Sequence, residues 1–145
     1  MCKQAVSAIL FLSLLCLLGA STIAFADQGS SAEAPDITPL ELAALRQSGQ
    51  APVVIDVRTA GAFASGHIPD AVNIPFDEVA ARISEVEAPN GVALYCMMGP
   101  RARKGEAALL EAGYASVRHL DGGLLAWKAA DLPVESGPSP EHQSR

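Results

Sequence analysis

Residues 53–57 read Val-Val-Ile-Asp-Val, so four of the five are β-branched. A run this continuous lacks the alternation of a strand with one wet face. It needs cover on both sides, which is the situation of a strand inside a parallel sheet packed between helices. Residues 92–95 (Val, Ala, Leu, Tyr) repeat the pattern, and 71–74 and 117–120 read as further short strands bounded by turn residues. Helical signals separate them. Thr38 as N-cap, Pro39 at the first helical position and Glu41 three residues after the cap open a helix running to about Gln47, with Gly49 ending it. Thr59 caps a short helix through Phe63, and Phe76, Val79, Ile83 and Val86 recur at helical spacing before the break at 89–91. Residues 102–112 form a helix closed by Gly113, and 124–130 form a last one carrying Trp127. Strands alternating with helices across short connections imply an α/β fold, a mainly parallel sheet with helices on both faces. At 145 residues the chain suffices for one such domain, and it shows no internal repeat.

The two ends do not share this pattern. Lys3 precedes an apolar run over residues 8–18, and Ala24, Phe25 and Ala26 form a small-x-small cleavage site before Asp27. Residues 1–26 are therefore expected to be a signal peptide that exports the chain, with a periplasm as the expected destination. The alternative is an uncleaved anchor over residues 5–25, a length near that needed to span a bilayer; Ser7, Ser13, Ser21 and Thr22 dilute it, and after cleavage no stable membrane insertion is expected. Residues 27–35 read as a linker, 36–135 as the folded domain, and 136–145, rich in Pro, Ser and charge, as a disordered tail.

Cleavage also removes Cys2 and Cys16 and leaves Cys96 alone. An exported chain with a single thiol can form no internal disulfide, so Cys96 is either a packed, inert residue or a reactive one. Its setting favours reactivity. Cys96 ends the 92–95 strand and precedes a helix, and helix N-termini, with unpaired N–H groups and partial positive charge, favour a thiolate. Met97, Met98, Gly99, Pro100, Arg101 and Ala102 follow it, and Arg101, Arg103 and Lys104 add positive charge nearby. The chain as a whole is acidic, with a formal net charge of −6, which argues against nucleic acid and anionic membrane partners. A basic spot on an acidic protein fits a small anionic substrate.

These segments resemble the rhodanese family of sulfurtransferases in its small single-domain form. Asp56, Arg58 and Thr59, followed by Gly66, His67, Ile68 and Pro69 and by residues 71–75, are similar to the family's first motif. Cys96, Gly99 and Arg101 match its Cys-x-x-Gly-x-Arg loop, and Gly122, Gly123, Ala126 and Trp127 its closing Gly-Gly-x-x-Ala-Trp motif. The resemblance covers about 100 residues in the family's order. It implies a five-stranded parallel sheet with helices on both faces, and a Cys96 thiolate that takes up a sulfane sulfur as a persulfide. Two positions depart from the pattern. Gly61 and Ala62 stand where acidic residues are common, and Pro100, having no N–H, removes one candidate donor from the loop around Cys96, leaving Met97, Met98, Gly99, Arg101 and Ala102.

The expected chemistry is attack by Cys96 on the outer sulfur of thiosulfate or a similar donor, with loop N–H groups and Arg101 stabilising the anionic sulfur, followed by transfer to cyanide or a thiol. Asp56 and Arg58 are expected to pair and support the loop, and His67 to be a structural turn residue. Neither a cofactor nor a metal is expected, and the protein is expected to be a monomer. A cysteine-dependent phosphatase would need Arg at position 102, where this chain has Ala102. The alternative from another class is a non-catalytic carrier that accepts persulfide sulfur and hands it to a partner protein.

Overall fold

The computed structural model describes residues 33–138, so the expected signal segment, most of the expected linker and the tail from 139 onward lie outside the described residues. In chain order the elements are β1 (Asp36–Ile37), α1 (Pro39–Gln47), β2 (Val53–Asp56), α2 (Ala60–Ala64), β3 (Val72–Asn73), α3 (Val79–Arg82), a 3-10 turn (Ile83–Glu85), β4 (Val92–Tyr95), α4 (Pro100–Glu111), β5 (Val117–Leu120) and α5 (Gly123–Ala129). The five strands form one sheet in the order β1-β5-β4-β2-β3, with every pair parallel. β4 lies between β5 and β2, with Leu94 opposite Ile55 on one side and His119 on the other.

Strand parity divides the core into two layers. Ile55, Val57, Val92, Leu94, Cys96 and Val117 pack with Val79, Ile83, Ala102 and Leu109 beneath α3 and α4. Val54, Ala93, Tyr95 and Leu120 pack with Leu42, Phe63, Leu124 and Trp127 beneath α1, α2 and α5. All four residues of β4 are buried, as the unbroken apolar run requires.

Local signals work as expected where side chains do the capping. Thr38 Oγ1 accepts the Glu41 N–H while the Glu41 carboxylate accepts the Thr38 N–H, a complete capping box. Thr59 caps α2 through the Ala62 N–H even with Gly61 and Ala62 in place of acidic residues.

The differences have physical causes. β1 has only two residues, too short for a periodicity, and it exists because β5 pairs with it. The helix expected from Phe76 to Val86 is one α turn and one 3-10 turn; the N-cap residue Glu78 makes no side-chain capping bond, and Val86 is already extended, yet Phe76, Val79, Ile83 and Val86 still reach the same core. α4 begins at Pro100, two residues earlier than expected, because a proline at the first helical position gives up only an N–H that has no helical partner. At the C-terminal end, contacts with the domain run past Glu135, its expected last residue, into the stretch expected as a tail. Glu135 and His67 exchange backbone hydrogen bonds at 2.8 and 2.9 Å, and the Gly137 N–H donates to the Ala64 carbonyl at 2.9 Å. At the other end, Ala34 of the expected linker is already buried in the α4-side core. Among the described residues, no helix is long and apolar enough to cross a membrane.

Leu94 is fully buried at the centre of the sheet beneath α4. Leu94→Ala is expected to cost about 2–5 kcal/mol through lost burial and the cavity left behind, measured as a fall in unfolding free energy in a urea titration.

Candidate active site

Cys96 follows β4 on the face that carries Val92 and Leu94, so its side chain goes under the start of α4. It is the one free cysteine among the described residues and is only 4% exposed. Gly99, at the N-cap position of α4, has no capping side chain. The sulfur of Cys96 fills that role. Its Sγ accepts the Gly99 N–H at 3.1 Å, and the Met98, Arg101 and Ala102 N–H groups also point to it. Burial pushes the thiol pKa up, but the hydrogen bonds from Ala102, Gly99, Met98 and Arg101 outweigh it, and the net displacement is downward, toward the thiolate.

The loop's carbonyls face the other way. The Leu124 N–H donates to the Cys96 carbonyl at 2.9 Å and the Leu125 N–H to the Met97 carbonyl at 3.1 Å, so the start of α5 holds the loop from behind. Met97, expected among the donors to sulfur, contributes through this carbonyl instead. The Gly-Gly pair makes the contact possible. Gly122 and Gly123 have φ of 65° and 58°, and a Cβ on Gly123 would lie 2.6 Å from the Cys96 carbonyl oxygen and 2.9 Å from that of Met97. The sequence showed this pair as a turn and a motif, without its role at the loop.

The positive charge read from sequence is only partly at the sulfur. Arg103 turns toward the beginning of the domain, where it contacts Asp36 at 2.5 Å, Glu33 at 3.4 Å and the Ala34 carbonyl at 2.8 Å. The Lys104 ammonium lies over the Phe76 ring, 5.8 Å from its centre. Arg101 remains exposed at the first turn of α4, and Pro100 beside it is exposed as well. Met97 and Met98, 40% and 65% exposed, form with Leu125, 49% exposed, an apolar rim on the backbone that carries Cys96.

Asp56 and Arg58 are both buried, and the structure brings them together. The Arg58 Nη2 is 2.5 Å from the Asp56 carboxylate and donates to the Gly66 carbonyl at 2.8 Å, while Nε donates to both Asp56 oxygens. Burial opposes the Arg58 charge, but Asp56 more than restores it and holds the guanidinium pKa above its ordinary value. Asn73 closes the arrangement by donating to the Asp56 and Arg58 carbonyls. The pair therefore fixes the β2 loop next to β4. His67 is packed at its turn: its Nδ1 donates to the Phe63 carbonyl at 2.9 Å, its ring stacks on Phe63 at 3.7 Å, and its Nε2 lies 3.9 Å from the Glu135 carboxylate.

Sequence reasoning missed two buried ionisable groups. Glu106 on α4 and His119 on β5 meet with the Glu106 Oε1 2.6 Å from the His119 Nδ1. A signal existed, since Glu106 interrupts the buried stripe formed by Ala102 and Leu109, and His119 shares a strand face with Val117. No group of side chains that could hold a metal occurs among the described residues.

A family model described as "Rhodanese-like domain" matches residues 38–130, which include strands β2 to β5, the Cys96 loop and the Gly-Gly turn. The chain belongs to the rhodanese family. The rhodanese domain is 37% identical over 82 residues to a "Sulfurtransferase" of Allochromatium vinosum, covering 57% of this chain and 77% of that one. It is 33% identical over 93 residues to the "Thiosulfate sulfurtransferase GlpE" of Pseudomonas savastanoi pv. phaseolicola, covering 64% of this chain and 86% of that one. Among solved structures it superimposes on the rhodanese-like domain of the Anabaena sp. protein Alr3790 with a TM-score of 0.64 at 29% identity, covering 70% and 79% of the two chains. Other relatives carry a rhodanese-like stretch within longer chains: the match spans 45% of the "HTH-type transcriptional regulator Rv0324" of Mycobacterium tuberculosis. The sulfurtransferase relatives support sulfur transfer as the general chemistry of this rhodanese domain.

Two outcomes are expected of this geometry. Gly123→Ala introduces a left-handed non-glycine and a clash with the loop carbonyls, costing about 2 kcal/mol or more; the check is a lowered Tm together with slowed alkylation of Cys96. Because the Cys96 pKa is lowered, the thiolate survives to lower pH than in free cysteine. The pH–rate profile for iodoacetamide alkylation of Cys96 should have its midpoint below that of free cysteine in the same buffer, with the rate falling only as pH drops through the lowered value.

Proposed function

We propose that the domain is a thiosulfate sulfurtransferase-type enzyme that works through a persulfide on Cys96. The observation that carries this reading is the cysteine sulfur seated as the acceptor of the backbone N–H groups at the N-terminus of α4. In the first half-reaction the Cys96 thiolate attacks the outer sulfur of thiosulfate. A bond forms between the Cys96 sulfur and that outer sulfur, the S–S bond of thiosulfate breaks, and its electron pair leaves with sulfite. The terminal sulfur of the persulfide carries the negative charge that the thiolate brought. N–H groups pre-aimed at sulfur stabilise that anion without reorganising, and the exposed Arg101 favours an anionic donor at the loop. In the second half-reaction cyanide or a thiolate attacks the terminal sulfur, the persulfide S–S bond breaks, and the Cys96 thiolate returns. Asp56 and Arg58 serve this site by holding the adjacent loop rather than by moving a proton. The export signal read in residues 1–26 belongs to the same proposal, with the transfer taking place in the periplasm and the domain acting as a monomer.

A second reading is favoured by one observation. Met97, Met98 and Leu125 expose apolar surface around the loop that a small anion such as thiosulfate does not use, and methionine rims adapt to varied partners. In that reading Cys96 carries the sulfur to a protein acceptor with little turnover on small molecules.

One assay separates the readings. With excess thiosulfate and cyanide, the enzyme is expected to release many equivalents of sulfite per chain, and intact mass spectrometry without cyanide is expected to show one added sulfur atom, both lost in Cys96→Ser. Release that stops at one equivalent assigns the carrier role; retained turnover in Cys96→Ser overturns the persulfide route.

A further inference from the structure

Two ionisable residues with no part in the proposed sulfur chemistry lie buried behind the loop. Glu106 occupies the buried stripe of α4 between Ala102 and Leu109, and His119 occupies a core-facing position of β5. Apolar side chains would fill both positions at no desolvation cost, whereas a buried carboxylate is expensive unless it is hydrogen-bonded. The two groups satisfy each other, with Nδ1 of His119 2.6 Å from Oε1 of Glu106. Burial raises the Glu106 pKa while His119 opposes that rise; with Glu106 ionised, its oxygen accepts from Nδ1–H and the hydrogen bond sets the ring plane.

The far edge of that ring lies against the loop. A Cβ built on Gly99 would be 3.3 Å from Nε2 and 3.5 Å from Cε1 of His119. Gly99 is the residue whose N–H reaches the Cys96 sulfur at 3.1 Å, and it does so at φ 127°, a conformation that glycine adopts and also leaves freely. Pro100 has already removed one N–H from the cradle, so the orientation of those that remain matters more. The pair is itself anchored on several sides. Arg103 of α4 contacts the second Glu106 oxygen at 3.4 Å and reaches Asp36 of β1 and Glu33, and the backbone N–H of His119 donates to the Pro35 carbonyl at 2.9 Å. The far edge of His119 thus sits beside Gly99, in the position where a Cβ would meet it, and links Glu106 to the residue whose N–H reaches the sulfur.

We propose that Glu106 and His119 are positioning residues for the Cys96 loop: the carboxylate fixes the imidazole, and the imidazole edge backs Gly99 so that its N–H stays on the sulfur. The pair acts through Gly99 and touches no substrate. The inference rests on the reading that Cys96 is the reacting group, but its test needs no sulfur donor, so the two fail separately.

The readout is the pH–rate profile of Cys96 alkylation, with Tm recorded beside it. Glu106→Ala frees the ring and is expected to raise the profile midpoint and slow alkylation about threefold to tenfold at pH below it, as the loss of one hydrogen bond to an anion implies. Glu106→Gln keeps an oxygen that accepts from Nδ1 and is expected to restore the wild-type midpoint. A destabilised fold with a merely structural role for the pair would lower Tm and leave the midpoint where it is. His119→Leu, in which Glu106 keeps Arg103 as partner, is the second variant and is expected to raise the midpoint as Glu106→Ala does. A midpoint unmoved in whichever of these two variants folds, or one that Glu106→Gln fails to restore, overturns the proposal.

Discussion

Everything at the top of this sheet is arranged around the hydrogen bonds from the first turn of α4 to the Cys96 sulfur. A helix that begins without a capping side chain leaves N–H groups unpaired, and here the sulfur is the acceptor they find. The arrangement works in both directions. The sulfur completes the helix end, and the helix end stabilises the sulfur as an anion against the cost of burying it. The proposed persulfide route needs the same feature, since in it negative charge remains at sulfur in both half-reactions.

Such a cradle holds only if the loop cannot turn over, and the surrounding structure prevents that from three directions. From behind, α5 donates two N–H groups to the loop carbonyls, across a contact that only the Gly122-Gly123 backbone permits. From β2, the buried Asp56–Arg58 pair and Asn73 fix the neighbouring loop. From β5 and α4, His119 and Glu106 back Gly99. These are buried polar groups, and each is costly unless paired; among the described residues, no buried side-chain polar atom lacks a partner.

Much of this is legible in the amino-acid sequence. The β-branched run at 53–57, the apolar run before Cys96 and the helical spacing between them determine a parallel sheet covered on both faces, and the family motifs identify the loop. What is not legible there has a common cause. β1 is two residues long and is a strand only because β5 pairs with it. Arg103 and Lys104 count as charge near the thiol by their place in the chain, yet a helix sends successive side chains in different directions, and theirs go to Asp36 and Phe76. Gly137 falls in the stretch that reads as a polar tail, but its N–H donates to the Ala64 carbonyl, beside the bridge between Glu135 and His67.

By itself, then, the sequence determined the class of fold, the helix caps, and which cysteine stands at a strand-to-helix turn, because those depend on neighbours a few residues apart: alternation, spacing and local hydrogen bonds. Only the tertiary structure decided which N–H groups reach the sulfur, which cations stay near it, and that Glu106 meets His119 behind Gly99. Those outcomes depend on contacts between elements distant in the chain, whose directions are set by strand order and helix docking, and no local pattern encodes them.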